Sequence, residues 1–211
     1  MQMPKKRIAV LVSGGGTNLQ AILDGVKSGA IDQGEVVLVL SSNRNAYALE
    51  RARANGVPTK VIDKAQYPDP AVRNQAIRMA LDEVQADLVV LAGYLSILDD
   101  QVIGPYRGRI LNIHPSLIPR HCGPGFYGKN VHQSVLASGE DRSGATVHYV
   151  EEGVDTGEII AQETVPVLEG DTVDDLAARV LVLEHALLVK TIAQLCRGKE
   201  SSNASTDQCF R

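Results

Sequence analysis

Cysteine is scarce. Three occur, Cys122, Cys196 and Cys209, an odd count with no Cys-x-x-Cys spacing. A disulfide framework and a thiolate zinc site are therefore excluded as organising devices, and the thiols read as reduced ones of a cytoplasmic protein. No apolar stretch reaches the roughly 18 residues of a spanning helix. The basic triplet Lys5-Lys6-Arg7 leads straight into Ile8-Ala9-Val10-Leu11-Val12 and then into glycines, the layout of a strand entry rather than a signal peptide. No basic run exceeds that triplet, and the net charge is -4. A long nucleic acid would want a basic surface, so neither nucleic acid nor membrane is expected as a partner. Internal repeats are missing. So are a Gly-Lys-Ser/Thr phosphate loop, a Gly-x-Ser-x-Gly elbow and a His-Glu-x-x-His metal motif, which argues against P-loop nucleotide hydrolysis, serine hydrolysis and a bound metal.

What remains is an ordinary globular composition of 211 residues, 44% hydrophobic and 22% charged. That length suits one domain with a core large enough to stand without staples. Short β-branched runs at 7–12, 35–40, 59–62 and 87–91 alternate with helical patterns at 17–27, 46–55 and 71–84. The rhythm predicts an α/β fold: a mostly parallel twisted sheet, helices on both faces, and a Rossmann-like first half. Further strands are expected at 109–111, 145–150 and 158–165, a Pro- and Gly-rich loop at 115–128, and helices at 131–138 and 171–195, the last capped by Thr172. The domain is expected to span 1–196, followed by a polar, disordered tail at 197–211.

Ser13-Gly14-Gly15-Gly16-Thr17-Asn18 joins the first strand to the first helix. A helix start offers unpaired N–H groups, and glycines let an anion come close. The spacing fails as a dinucleotide fingerprint, because Leu19 takes the third glycine position and no acid follows the second strand. A single phosphate group fits the loop better; a tight turn with no ligand is the bland alternative.

Asn112 and His114 follow a parallel strand, where side chains point into a ligand crevice. Two apart, they share one face of an extended chain. An asparagine amide can donate to an oxyanion, and histidine can move a proton near neutral pH. Asp155 lies between Gly153 and Gly157 in a loop. Each residue also has a plain reading: a satisfied core histidine, a turn aspartate. His121, His132, His148 and His185 compete for the same roles.

The blocks Ser13–Gln20, Leu91-Ala92-Gly93-Tyr94, Asn112–Leu117, Gly144–His148, Asp155-Thr156-Gly157 and Glu184-His185 resemble the folate-dependent phosphoribosylglycinamide formyltransferase family. The resemblance runs from about Arg7 to Leu195. It implies the formyltransferase fold, with acceptor binding in 7–100 and folate binding and catalysis in 101–196. It implies Asn112, His114 and Asp155 as the catalytic residues. Gly16, Thr17 and Asn18 would hold the acceptor's phosphate and Glu184 its ribose or amine end. Leu95, Ser96, Ile97 and Leu98, with Asn112 and the loop Glu151, Glu152, Gly153, Val154 and Asp155, would hold the folate. Ser96 stands where many members carry arginine, and Arg73 is the expected substitute toward the folate glutamate tail. The loop 123–130 resembles a variant form with Gly-Phe-Tyr-Gly.

The implied reaction moves a formyl group from 10-formyltetrahydrofolate, a cosubstrate, to the amine of glycinamide ribonucleotide in purine synthesis, with no metal. Asp155 is expected to raise the pKa of His114 and keep it protonated. The implied partners are small molecules, and the protein would be a monomer or homodimer. Rivals are a formyltetrahydrofolate hydrolase, another formyltransferase such as one acting on methionyl-tRNA, or a non-catalytic phosphometabolite-binding protein.

Overall fold

A computed structural model describes residues 4–198. Seven strands form one sheet in the order β3-β2-β1-β4-β5-β6-β7. The strands are β1 (Lys6–Val12), β2 (Gly34–Ser41), β3 (Thr59–Val61), β4 (Leu88–Leu91), β5 (Ile110–His114), β6 (Arg142–Tyr149) and β7 (Ile159–Pro166). The first five run parallel, while β6 and β7 pair antiparallel. The helices are α1 (Thr17–Ser28), α2 (Ala48–Ala54), α3 (Pro70–Glu83), α4 (Asp100–Ile103), α5 (Lys129–Ala137) and α6 (Val173–Cys196).

Strand β1 shows why the sheet is covered on both sides. Side chains alternate across a strand. Ile8, Val10 and Val12 pack with Leu19 and Ile22 of α1 and with Leu176, Val180 and Leu188 of α6. Ala9 and Leu11 face the other way, onto Ile77 and Leu81 of α3 and Val102 of α4. All five are fully buried, so neither set can be polar. Each large aliphatic chain so buried stabilises the fold by roughly 1.5–3 kcal/mol relative to exposure.

Several boundaries are corrected. The strand expected at 109–111 runs on to His114, so Asn112 and His114 lie in the sheet itself rather than beyond it. The strand expected from Ala145 starts at Arg142. The short helix α4 was not expected; Asp99 caps it by accepting the Gln101 N–H. Helix α6 starts at Val173 behind a reciprocal cap between Thr172 and Asp175, while Asp171 lies outside it and pairs with Arg179 at 2.6 Å. Arg197, assigned to the tail, closes α6 and bonds Asp32 at 2.9 Å. Positions 199–211 of that tail, Cys209 among them, fall outside the described residues. No helix among the described residues is long and apolar enough to cross a membrane.

The strand order reverses between β1 and β4. The chain winds outward from β1 through β2 to β3, then returns to place β4 on the other side of β1. Ligands of open α/β sheets bind at the carboxyl ends of strands flanking such a point. The loops leaving β1 and β4 meet there: the Leu95 N–H donates to Ser13 Oγ at 2.9 Å.

Candidate active site

A cleft of about 720 Å³ opens at that end of the sheet, within the usual size of a small-molecule site. Among its lining residues are Asn18, Leu95, Ser96, Ile97, Leu98, Asn112, His114, Glu151, Gly153, Val154, Asp155 and Glu184. Of the residues proposed from sequence, Gly16, Thr17 and Glu152 do not line it. Glu152 is turned to solvent, 3.9 Å from Arg107. Arg73 does not reach the cleft either; its guanidinium donates to the Tyr67 carbonyl.

The polar centre is built by sheet register. Asn112 of β5 stands opposite His148 of β6, so their side chains meet, Asn112 Nδ2 lying 3.1 Å from His148 Nε2. His148 Nδ1 lies 2.8 Å from the Tyr149 carbonyl. A carbonyl only accepts, so Nδ1 carries the hydrogen and Nε2 can accept from Asn112. The second Asn112 amide hydrogen goes to Asp155 Oδ1 at 3.3 Å. His114 follows the same logic: its Nε2 lies 2.9 Å from the His121 carbonyl and must donate. Its Nδ1 faces Asp155 Oδ2 at 3.5 Å.

Asp155 comes from the loop between β6 and β7 and folds back onto β5. Its φ is 57°, a left-handed backbone that aspartate tolerates better than most residues. The loop is tightly seated, since a Cβ on Gly157 would overlap the Tyr149 carbonyl. The Gly123 amide also holds the carboxylate, donating to Oδ2 at 2.9 Å. Burial pushes the Asp155 carboxyl up. The neighbouring His148 and the Gly123 amide outweigh it, and the pKa ends below the usual range.

His114 corrects an expectation. Burial lowers its pKa, and this outweighs the upward pull of the His121 carbonyl and of Asp155. With only 5% of its side chain exposed, the imidazole rests neutral, its bare Nδ1 beside a carboxylate. That is the arrangement of a group ready to receive a proton rather than one already holding it.

At one end of the cleft, buried Glu184 of α6 meets Asn18 of α1. Burial lifts the Glu184 pKa to about 7, against the hydrogen bond from Asn18. The Asn18 Oδ1 is buried without a partner, an acceptor free for a ligand hydroxyl or amine. Beside it, Gly16 caps α1 at φ 72° with no side chain covering the helix start, so first-turn N–H groups remain open. Gly16 is required by packing, because a Cβ there would lie 2.6 Å from the Ala48 Cβ. Gly14 and Gly15 have open space beside them. At the opposite end the mouth is apolar: Leu95 is 64% exposed and Ile97 75%, with Tyr127 and Val154 facing them. Exposed apolar side chains grouped around one opening suit a flat ring system.

Sequence reasoning missed His148 as a member of the centre. Its alternation with Thr146 was visible, but only the antiparallel register assigns it to Asn112. It also missed the lining given by Ala177, Ala178 and Leu181 of α6, apolar residues that carry no chemistry to single them out.

Residues 6–192 match the family described as formyl transferase. The chain is 44% identical to a glycinamide ribonucleotide transformylase 1 from Symbiobacterium toebii, whose crystal structure superposes with a TM-score of 0.87 over 93% of this chain and 90% of that one. It is 41% identical to a chloroplastic phosphoribosylglycinamide formyltransferase from Vigna unguiculata, over 91% of this chain and 61% of that protein. It is 39% identical to the human trifunctional purine biosynthetic protein adenosine-3, over 92% of this chain and 19% of that protein. The chain thus spans under two thirds of these two relatives. A match over nearly the whole sheet and both walls of the cleft leaves one conclusion: the chain belongs to the formyl transferase family.

Proposed function

We propose that this chain transfers the formyl group of 10-formyltetrahydrofolate to the amine of glycinamide ribonucleotide, in the purine pathway. The observation that carries the reading is Asp155, reaching back 43 positions to Asn112 and standing 3.5 Å from His114. The names of the relatives and full-length structural neighbours support the same substrates.

The residues fit such a pair of ligands. The apolar mouth suits a pterin and its aryl ring. The open start of α1, Asn18 and Glu184 suit a phosphate, a ribose and an amine. The tetrahydrofolate carrier supplies an electrophilic formyl carbon. Asn112 is the donor for the oxygen that turns negative as the neutral amine adds. It does so by releasing one of its two partners inside the site. His114 takes up the proton that the attacking nitrogen must lose, becoming an imidazolium that Asp155 stabilises, and gives it to the folate nitrogen as the bond from that nitrogen to the formyl carbon breaks and tetrahydrofolate leaves. Removing one oxyanion donor costs on the order of 10²–10³ in rate. No metal enters this scheme.

We assign the acceptor end mainly to 7–100 and the reacting centre to 101–196, with Leu95–Leu98 and Glu184 each reaching into the other's territory. Unpaired Cys122 and Cys196 suit a reducing compartment such as the cytoplasm. The test follows donor consumption by absorbance, with and without glycinamide ribonucleotide. Turnover that needs the acceptor and vanishes in His114→Ala supports the reading. Turnover without acceptor makes the chain a hydrolase, and no turnover in either case makes it a binding protein.

A further inference from the structure

Two contacts reach the reacting pair from one short stretch of the 115–128 loop. The His121 carbonyl accepts from His114 Nε2 at 2.9 Å, and the Gly123 amide donates to Asp155 at 2.9 Å. That stretch grips both residues at once, so slack in it displaces both. It does not rest in a relaxed form, because His121 has a φ of 51°, a conformation that a side chain disfavours unless its surroundings hold it.

The ring of His121 supplies that hold. Its Nε2 lies 3.0 Å from Glu140 Oε1, in the turn before β6, and its Nδ1 lies 2.8 Å from Ser134 Oγ on α5. A carboxylate only accepts, so Nε2 carries the hydrogen toward Glu140, while Nδ1 meets the serine hydroxyl. Glu140 is steadied in turn by Arg120 at 3.4 Å. The His121 bond is the main cause holding the Glu140 carboxyl below its usual range, so it stays charged. Phe126 packs edge-on against the His121 ring. None of His121, Ser134 and Glu140 lines the cleft, so all three act without touching a ligand.

We propose that His121, Ser134 and Glu140 are positioning residues: they lock the 121–123 backbone so that His114 keeps its hydrogen on Nε2 and Asp155 stays beside Nδ1. The kinetic consequence rests on the formyl transfer reading; the structural one does not.

The experiment pairs steady-state kinetics with ¹⁵N NMR of the His114 ring, in the full chain. In the parent protein the His114 nitrogens should report one tautomer, with Nε2 protonated. Glu140→Ala should mix the tautomers and lower kcat about tenfold to a hundredfold, the scale of an ångström-sized misplacement, with both KM values within about twofold. Glu140→Gln still offers an acceptor to His121 and should restore most of the rate and the single tautomer. Should Glu140→Ala not fold, Ser134→Ala removes the other ring contact and carries the same expectation. An unchanged His114 tautomer in Glu140→Ala or Ser134→Ala overturns the proposal, as does a Gln variant as impaired as the Ala variant, or a loss confined to KM. If the parent protein shows no formyl transfer, the substrate reading fails while the NMR comparison still decides the positioning claim.

Discussion

Adjacent glycines in the loop after β1 make a pair of substitutions that separates folding from binding. Gly16 lies at φ 72°, and an added Cβ would sit 2.6 Å from the Ala48 Cβ and 2.8 Å from its Cα. The left-handed backbone alone costs an alanine about 1–2 kcal/mol. Pressing a methyl into the backbone of α2, which cannot swing aside, adds about 1–3 kcal/mol. Gly16→Ala should therefore lose about 2–5 kcal/mol, equivalent to about 4–20 °C in Tm for a chain of this size. Gly15 differs: nothing lies within 4 Å of its added Cβ, and its φ lies outside the left-handed range. Gly15→Ala should hold stability within about 0.5 kcal/mol. Yet if the acceptor's phosphate rests on this loop, the new methyl takes the space that the anion approaches. Losing one charge-assisted hydrogen bond of about 1.5–3 kcal/mol raises the acceptor KM roughly tenfold to a hundredfold. Urea and thermal melts give the first quantity, and steady-state kinetics with varied acceptor the second. A Gly15→Ala protein with the parent's acceptor KM would refute the phosphate placement, and an unshifted melt for Gly16→Ala would refute the packing argument.

Asp155→Asn keeps the shape of the carboxylate but removes its charge, so kcat should fall on the order of 10²–10⁴ while acceptor Kd by calorimetry stays within about twofold; a collapse of binding with normal single-turnover chemistry would contradict the role assigned. Glu184 gives a pH signature. Its folded pKa, about 7, lies above the ordinary value of 4.5, so the folded chain holds a proton that the unfolded chain has released. Its contribution to stability is full below about pH 4.5, declines as pH rises toward 7, and reaches a cost on the order of 3 kcal/mol above that. His114, His132 and His185, whose pKa values are lowered by burial, act in the opposite sense near pH 6. The measurement is therefore the difference between parent and Glu184→Gln in urea melts from pH 4.5 to 8, which should grow with pH in favour of the glutamine; a flat difference sinks the burial argument.

The parts of the fold that could be read in advance are those where one local cause dominates. Strands β1, β2 and β4 are covered on both faces, which forces unbroken apolar runs that no helix period imitates. Thr172 announced the start of α6 because a cap is a local bond. The extension of β5 through Asn112 and His114 was hidden, since its two polar residues interrupt the apolar run that marks a buried strand. Helix α4 has four residues, too few to show a period. The meeting of Asp155 with His114 depends on how a hairpin folds over a sheet, which no spacing encodes. The resting protonation of His114 was misjudged for a related reason: its neighbour's charge was visible in the motif, whereas its burial belongs to the assembled fold.

The sheet changes direction at β5, and that turn has a use in redesign. Asp155 rides on the tip of an antiparallel hairpin, whereas Asn18 and the glycines belong to the parallel half across the cleft. On the proposed function, the two ends of the reaction draw on separate segments: 13–20 with Glu184 for the amine's carrier, and Asn112, His114 and the 151–157 loop for the transferring centre. Under that function, an engineer seeking another phosphorylated amine as acceptor would vary 13–20 together with Glu184 and leave the second set untouched.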